Sequence, residues 1–475
     1  MTTMRFDFQN LDYALDIYAG TILVARLGFE PQNDTYQLQY AEAWVNMPMG
    51  YALSPHLPLD NTGSSATVRR FLENLLPEGH ALDIACSFNN IQKNNVFALI
   101  RQLGKETTGG LTFLPAGQAP KALKAVCREI SLPELQARID ERNQTPFTIW
   151  DGKVRASVAG FQDKLMVHQH AGRLFLVDGS LSSTHIIKPE STHATMPCMV
   201  ANEHFCMKLA ERISLARYKQ PNVAHVDILR VPSPVLSIRR FDRQPRYEAQ
   251  EVEVIDSEGQ TTGKTVHIDL VNRLHIIDGC QAVDAPVSFK YERNFGNGAD
   301  VAHIRDGVSF ATIFQCKKYL EVPAIGTQRL ILWAATTLLF GNSDAHGKNI
   351  SFQVDRAGLR VAELYDLVSV MQYDSNKLEH SIAMAFGDVF NLNSVKSFNL
   401  ADFCVRCGIN RSYFARELSN LCKIALAEAP LQAQDAVYVG EEKAMVSDIA
   451  SFVVKQANKL LSMAGEVQSY KADLF

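Results

Sequence analysis

A chain of 475 residues, 47% hydrophobic and 21% charged, has the make-up of an ordinary globular protein with room for two or three domains and a large core. Its formal net charge of −4 exerts no global pull on nucleic acid and leaves only a local basic patch open. No stretch has the apolar length of a membrane span, and the amino-terminal MTTMRFDFQNLDYALD lacks the basic region and apolar core of a secretory signal. Nine scattered cysteines, an odd number, suit reduced thiols in a cytoplasmic protein better than a disulfide framework.

Residues 13–26 read as two strands turning at Ala19-Gly20, and 36–45 continue with strand-like alternation. Residues 65–76 place Val68, Phe71, Leu72 and Leu75 on one helical face, with Pro77 and Gly79 as stop signals; 95–103 read as a second short helix. This small α+β unit shows no chemical motif. Ser131-Leu132-Pro133-Glu134 is a capping box opening a helix to about residue 142, and Gln144-Thr145-Pro146 marks a boundary. The stretch 147–243 is strand-rich (164–167, 173–177, 184–187, 235–241), interrupted by one amphipathic helix over 199–213. Glu251-Val252-Glu253, with Glu258 and Gly259 after it, reads as a solvated loop insertion. From about 267 the chain reads mainly helical. The expected division is 1–146, 147–244 and 245–475.

Residues 330–340 (LILWAATTLLF) form an apolar run best read as a buried helix, stopping at Gly341-Asn342. Asn342-Ser343-Asp344-Ala345-His346-Gly347-Lys348-Asn349 follows. A hairpin comes next (350–354, then 359–364), and Tyr365-Asp366 after it. Phosphoryl-transfer enzymes place one Asp near the attacking hydroxyl, an Asn five residues on at a metal, and a second Asp at the metal too. Mg²⁺ takes oxygen ligands and keeps several waters, so few protein ligands are expected. The spacing alone suits a polar surface loop better; the hairpin is what can gather Asp344, Asn349 and Asp366. In the small half, Gly160 within Ser157-Val158-Ala159-Gly160-Phe161-Gln162-Asp163-Lys164 would let backbone approach phosphates. Lys188 ends a strand, and Glu203 on the next helix could orient it. A plain β-turn, a solvated lysine and a surface glutamate account for these three as well. Their order along the chain is what a kinase needs.

The segments SVAGFQDK (157–164), STHIIKPE (183–190), NEHFCMKLA (202–210), RRFDR (239–243), NRLHIIDGCQA (272–282), SDAHGKN (343–349) and LYDLVS (364–369) resemble the HipA-type serine/threonine kinases, the toxin partners of bacterial toxin–antitoxin pairs. Leu75-Leu76-Pro77-Glu78 also resembles a stretch of that family's amino-terminal subdomain. The resemblance implies an α+β, bilobal protein-kinase-like fold with a strand-rich N-lobe, a mainly helical C-lobe and an extra amino-terminal α+β subdomain. It also implies ATP and Mg²⁺. Asp344 would be catalytic, and Asn349 and Asp366 would hold the metal. Lys188 would meet the ATP phosphates, and Ala159, Gly160, Phe161, Gln162, Asp163 and Lys164 would cover them. Arg239, Arg240 and Phe241 would form the adenine hinge. His346, Gly347, Lys348 and Tyr365 would complete the nucleotide site, and Ser157 would be a self-phosphorylation site. In relatives the targets are aminoacyl-tRNA synthetases, and the antitoxin is a small helix-turn-helix DNA-binding protein of HipB type. Nucleic acid would then be met only through the antitoxin, and no membrane is implied.

Two departures stand out. Arg239 takes the place of a frequent Glu at the hinge, and Ile276-Ile277 replaces a polar-acidic pair before Asp278. Every group needed for phosphoryl transfer is present. A second reading stays open, a kinase-shaped module acting mainly through an antitoxin–operator complex with weak catalysis. Cys404-x-x-Cys407 lies in a helical pattern without a second pair and reads as core. The helix-turn-helix-like stretch around it reads as an ordinary helix pair. His267, His275 and His303 lack metal spacing.

Overall fold

The computed structural model describes residues 11–61, 63–120, 123–155 and 162–475. The amino-terminal unit is built on a four-stranded antiparallel sheet in the order Thr35–Tyr40, Ile22–Glu30, Ala14–Ala19, Leu111–Pro115. Helices Ser65–Glu73 and Val96–Leu103 cover it, burying Val68, Phe71, Leu72, Phe97 and Ile100. Ser64 and Asn95 start them, each accepting a backbone N–H three residues on with its side chain. The strand expected over 36–45 ends at Tyr40. Glu42–Val45 instead winds as one helical turn, because Trp44 is buried with its indole N–H on the Tyr51 carbonyl. Beyond Pro77 the chain does not stay open but forms a further helix, Gly79–Asn89, absent from the sequence reading.

An eight-stranded sheet forms the small lobe, ordered Val226–Arg230, Pro234–Arg239, His185–Pro189, Leu165–His170, Arg173–Asp178, Val126–Ile130, Arg243–Ile255, Thr261–Arg273. The strand Val126–Ile130 enters this sheet from the amino-terminal side of residue 146. It pairs antiparallel with Arg173–Asp178 and parallel with Arg243–Ile255. The acidic stretch expected as a solvated loop is corrected here: it belongs to a long hairpin, two strands of 13 residues each. Its inward side chains Val252, Val266 and Ile268 pack on Cys127, Phe175, Val177 and Leu181, while the glutamates face solvent.

The large lobe is mainly helical: Pro323–Phe340, Ser397–Arg406, Arg411–Gln432 and Glu442–Val467, with Met199–Tyr218 packed among them. Every residue from Leu330 to Phe340 is buried, as an unbroken apolar run requires. Gly341 ends that helix in the left-handed region (φ 65°), the usual use of glycine there. Cys404 and Cys407 are buried in the helix pair around 397–432, and the described residues contain no cluster of three metal-ligating side chains. His267 and His303 are exposed and His275 is buried. No described helix is long and apolar enough to cross a membrane. A three-stranded sheet, Ile276–Asp278, Ser351–Asp355 and Gly358–Val361, sits where the lobes meet and frames the site.

Candidate active site

The buried helix Pro323–Phe340 delivers the chain to a loop folded by its own polar groups. Asn342 Oδ1 accepts the Asp344 N–H (3.1 Å), and the Asp344 carbonyl accepts the His346 N–H (2.8 Å) and the Asn349 side-chain N–H (2.8 Å). Anchored through its nitrogen, the Asn349 amide has its oxygen left to face a cation. Gly347 donates its N–H to the Lys290 carbonyl, and a β-carbon there would lie 2.9 Å from Val308 and 3.0 Å from the Cys280 sulfur. The Asp344 carboxylate is 48% exposed and accepts the Tyr291 hydroxyl at 2.6 Å.

Lys188 lies mid-sheet, on a strand paired on both sides. Its Nζ reaches both oxygens of Glu203 (2.8 and 3.1 Å) and Asp366 Oδ1 (2.5 Å). One lysine thus ties together the sheet, the helix Met199–Tyr218 and the segment after the hairpin. Asp366 is held at φ 57°, a left-handed conformation that costs a residue with a β-carbon roughly 1–3 kcal/mol and is met mostly at functional sites.

The cleft between the lobes has two ends. Leu75, Ile186, Ile238 and Ile276 make one end apolar. There the rings of Phe241 and Tyr365 lie 5.6 Å apart and nearly parallel (29°). The Tyr365 hydroxyl donates to the Lys348 carbonyl, which locks that ring. The other end carries Lys164, Lys188, His346, Asn349, Asp366 and Glu78. Of the expected nucleotide residues, Lys164, Lys188, Arg239, Arg240, Phe241, His346, Lys348, Asn349, Tyr365 and Asp366 all line it. Gly347 lies behind them, and Asp344 stands half-exposed on the same loop. Gln162 and Asp163 do not line the cleft, and Ser157, Ala159, Gly160 and Phe161 lie outside the described residues. The Arg240 guanidinium is committed elsewhere, to Asp242 and the Ser183 hydroxyl, so its backbone is what it can offer a ligand. Lys348 is likewise spent on Asp278 (2.5 Å) and on Asn74. A larger groove, about 1360 Å³, runs between the amino-terminal sheet and the long hairpin and gathers none of these groups.

Burial opposes the charge on Asp366, but Lys188 and Lys164 outweigh it and hold the carboxyl down to about 2. For Lys188 burial is again outweighed, by Asp366 and Glu203, and its pKa rises. Burial, then Lys188, push Lys164 down to about 8. Burial keeps His346 low, against the pull of Asp344. The charged end is therefore a fixed array: a carboxylate and an amide oxygen beside a permanently cationic lysine.

Sequence reasoning missed Asn74, Leu75 and Glu78 from the amino-terminal unit, and Lys290 and Tyr291 from the large lobe. Glu78 pairs with Lys290 (2.6 Å), and burial of its charge is outweighed by Lys348 and Lys290, which lower its pKa. The one available signal was the Leu75-Leu76-Pro77-Glu78 stretch, a charged residue straight after an apolar helix face.

A model of the HipA N-terminal domain matches residues 15–114 and one of the HipA-like C-terminal domain matches 156–429. The serine/threonine-protein kinase toxin HipA of Shewanella oneidensis is 37% identical over 441 residues, covering 90% of this chain and 93% of that one. This chain belongs to the HipA family. A candidate kinase of Sinorhizobium fredii, Y4mE, is 29% identical over 389 residues, 80% of this chain and 83% of its own. The solved Shewanella oneidensis HipA, in complex with HipB and operator DNA, superimposes with a TM-score of 0.81 at 35% identity. The match covers 96% of this chain and all of that one. The architecture is accordingly the bilobal, kinase-like HipA fold, and the enzyme class is serine/threonine-protein kinase.

Proposed function

We propose that this HipA-family kinase uses ATP and Mg²⁺ to phosphorylate a cellular protein and so arrests growth. The observation that carries the reading is Lys188 bridging Glu203 and Asp366 across the lobes, in the same cleft as Asn349. A purine suits the apolar end, against Phe241 and Tyr365, and phosphates suit the end held by Lys188 and Lys164. Asn349 and Asp366 offer hard oxygen donors, which fits Mg²⁺. Asn349 and Asp366 would hold the metal, which would supply positive charge against that developing on the phosphates. The cleft has about 120 Å³ of open cavity, below the roughly 300 Å³ that small-molecule sites usually offer. Nucleotide entry therefore requires the cleft to widen. Asp344, at the edge of the cleft, accepts the proton of the target's hydroxyl. As it does so, the hydroxyl oxygen bonds to the γ-phosphorus, and the bond to the β–γ bridging oxygen breaks. ADP then departs with that electron pair.

Ser157, ahead of the phosphate loop, is the self-phosphorylation site in this reading. A phosphate there adds nearly two negative charges where ATP phosphates must sit, which would expel the loop and silence the enzyme. An aminoacyl-tRNA synthetase is the target class that the family likeness supports. The Shewanella HipA was solved with HipB and operator DNA. A small helix-turn-helix antitoxin is the matching partner here, with DNA met only through it. Nine free cysteines suit a reducing cytoplasm.

Purified protein with Mg·ATP is expected to gain phosphate at Ser157, read by intact mass and peptide mapping. Asp344→Gln or Asp366→Asn should abolish both labelling and growth inhibition. Toxicity surviving both substitutions would replace this reading with that of a binding module acting through an antitoxin–operator complex.

A further inference from the structure

The segment that carries Tyr291 is clamped from several directions. Gly347 of the catalytic loop donates to the Lys290 carbonyl (2.8 Å), Glu292 donates to Ala383 (3.1 Å), Gly307 donates to Glu292 (3.1 Å) and Val308 donates to Phe289 (2.7 Å). Tyr291 projects from this rigid strip onto the loop. Its ring meets the His346 ring edge to face at 4.9 Å and 85°, and its hydroxyl donates to Asp344 Oδ1 at 2.6 Å. Tyr291 is 37% exposed; partial desolvation of its phenol, reinforced by the Asp344 charge, raises the pKa, so the hydroxyl stays a donor. Among the described residues, this is the one side-chain hydrogen bond to the Asp344 carboxylate; the His346 ring nitrogen stands off at 3.9 Å.

We infer that Tyr291 is a positioning residue for phosphoryl transfer: by holding Asp344 Oδ1 it fixes the carboxylate and reserves Oδ2 for the target's hydroxyl. The inference rests on the reading of Asp344 as proton acceptor given above. A half-exposed aspartate rotates readily in water, and a rotated carboxylate meets the incoming hydroxyl at the wrong angle. Misplacement of a reacting group by about 1 Å can cost on the order of a hundredfold in rate. Tyr291 does not line the nucleotide cleft. Its loss should therefore leave ATP affinity alone and fall on the transfer step.

The test uses the full chain, with its own self-phosphorylation as the reaction. Phosphate incorporation is followed by intact mass at a series of Mg·ATP concentrations, giving a maximal rate and a half-saturating ATP concentration. Tyr291→Phe keeps the ring against His346 and removes only the hydroxyl. The expected result is a maximal rate lowered about 10- to 100-fold, with half-saturating ATP within about twofold of wild type and the melting temperature unchanged. Tyr291→His, which restores a donor on a ring, should recover part of the rate. A Tyr291→Phe rate equal to wild type overturns the positioning role, and so does a faster one, which would mean the hydroxyl competes with the target. A shift confined to half-saturating ATP overturns it too. Asp344→Gln run alongside separates the two readings: if it labels as fast as wild type, the role of Asp344 itself falls.

Discussion

Lys188 sits between two carboxylates, one of them fully enclosed: Glu203 is 1% exposed. Taking such charges out of water costs several kcal/mol each, so the cluster's contribution to stability is not the sum of its attractions. What it supplies is a tie between the sheet, the helix and the segment after the hairpin. Lys188→Met takes away the lysine that Glu203 and Asp366 share and leaves them the more distant charge of Lys164. It should lower unfolding free energy by about 3 kcal/mol, since removing one partner of a buried pair is costly. Glu203→Gln leaves Asp366 still paired with Lys188 and should cost only about 1 kcal/mol, yet slow self-phosphorylation because Lys188 loses its orientation. The double variant Lys188→Met/Glu203→Met should recover part of the stability and none of the activity. Urea unfolding and intact-mass labelling of the three proteins check this. A Lys188→Met protein as stable as wild type would show that these carboxylates reach water when the lysine is gone.

At the level of elements, the long hairpin is the sharpest difference between pattern and structure. Ile268 is fully buried in the layer under it, whereas Tyr247 on the same hairpin is fully exposed. Ile268→Ala should therefore cost about 2–5 kcal/mol in urea unfolding, and Tyr247→Ser less than about 0.5. Equal, small effects would return the segment to the status of a solvated loop. It was misread because charge on the outward positions masked a period-two alternation that runs Val252, Val254 on one strand and Val266, Ile268, Leu270 on the other. The helix over 330–340 was legible because a helix buried on every side leaves an unbroken apolar run. The gathering of Lys188, Glu203, Asn349 and Asp366 was legible as well, since each lies in its own short segment. Glu78 and Tyr291 were not. Glu78 lies more than two hundred positions before its partner Lys290, and such pairings come from docking of whole units rather than from spacing.

At the scale of the whole molecule, the amino-terminal unit is sutured to the strip that leads into Tyr291. Arg70 pairs with Asp284, Gln281 donates to the Phe71 carbonyl, Asn74 donates to the Ala285 carbonyl, and Lys290 pairs with Glu78. His275 stands at the head of this seam, 3% exposed and stacked on Tyr51 at 5.1 Å, with its Nε2 2.8 Å from the Leu53 carbonyl. A carbonyl only accepts, so Nε2 carries a proton; the buried Nδ1 has no hydrogen-bond partner among the described residues, and a second proton there would be an unpaired donor. Burial pushes its pKa down to about 4, from an ordinary value near 6.5. The unfolded chain thus takes up a proton near pH 6.5 while the folded chain refuses it until about pH 4. The unfolded state binds more protons across that window, so stability is full above pH 6.5, falls as pH drops toward 4 and levels off below. Between pH 7 and pH 5 this one ring should remove roughly 2 kcal/mol. Glu363, pushed up by burial to about 7, works in the opposite sense, so the net acid response of wild type alone would not isolate His275. The comparison with His275→Gln does, because the amide keeps a donor for Leu53 and cannot titrate. Urea unfolding of both proteins at pH 7 and pH 5 should give a drop about 2 kcal/mol smaller in the variant. Identical drops would mean that water reaches the ring, and that the seam between the amino-terminal unit and the catalytic lobe opens in solution.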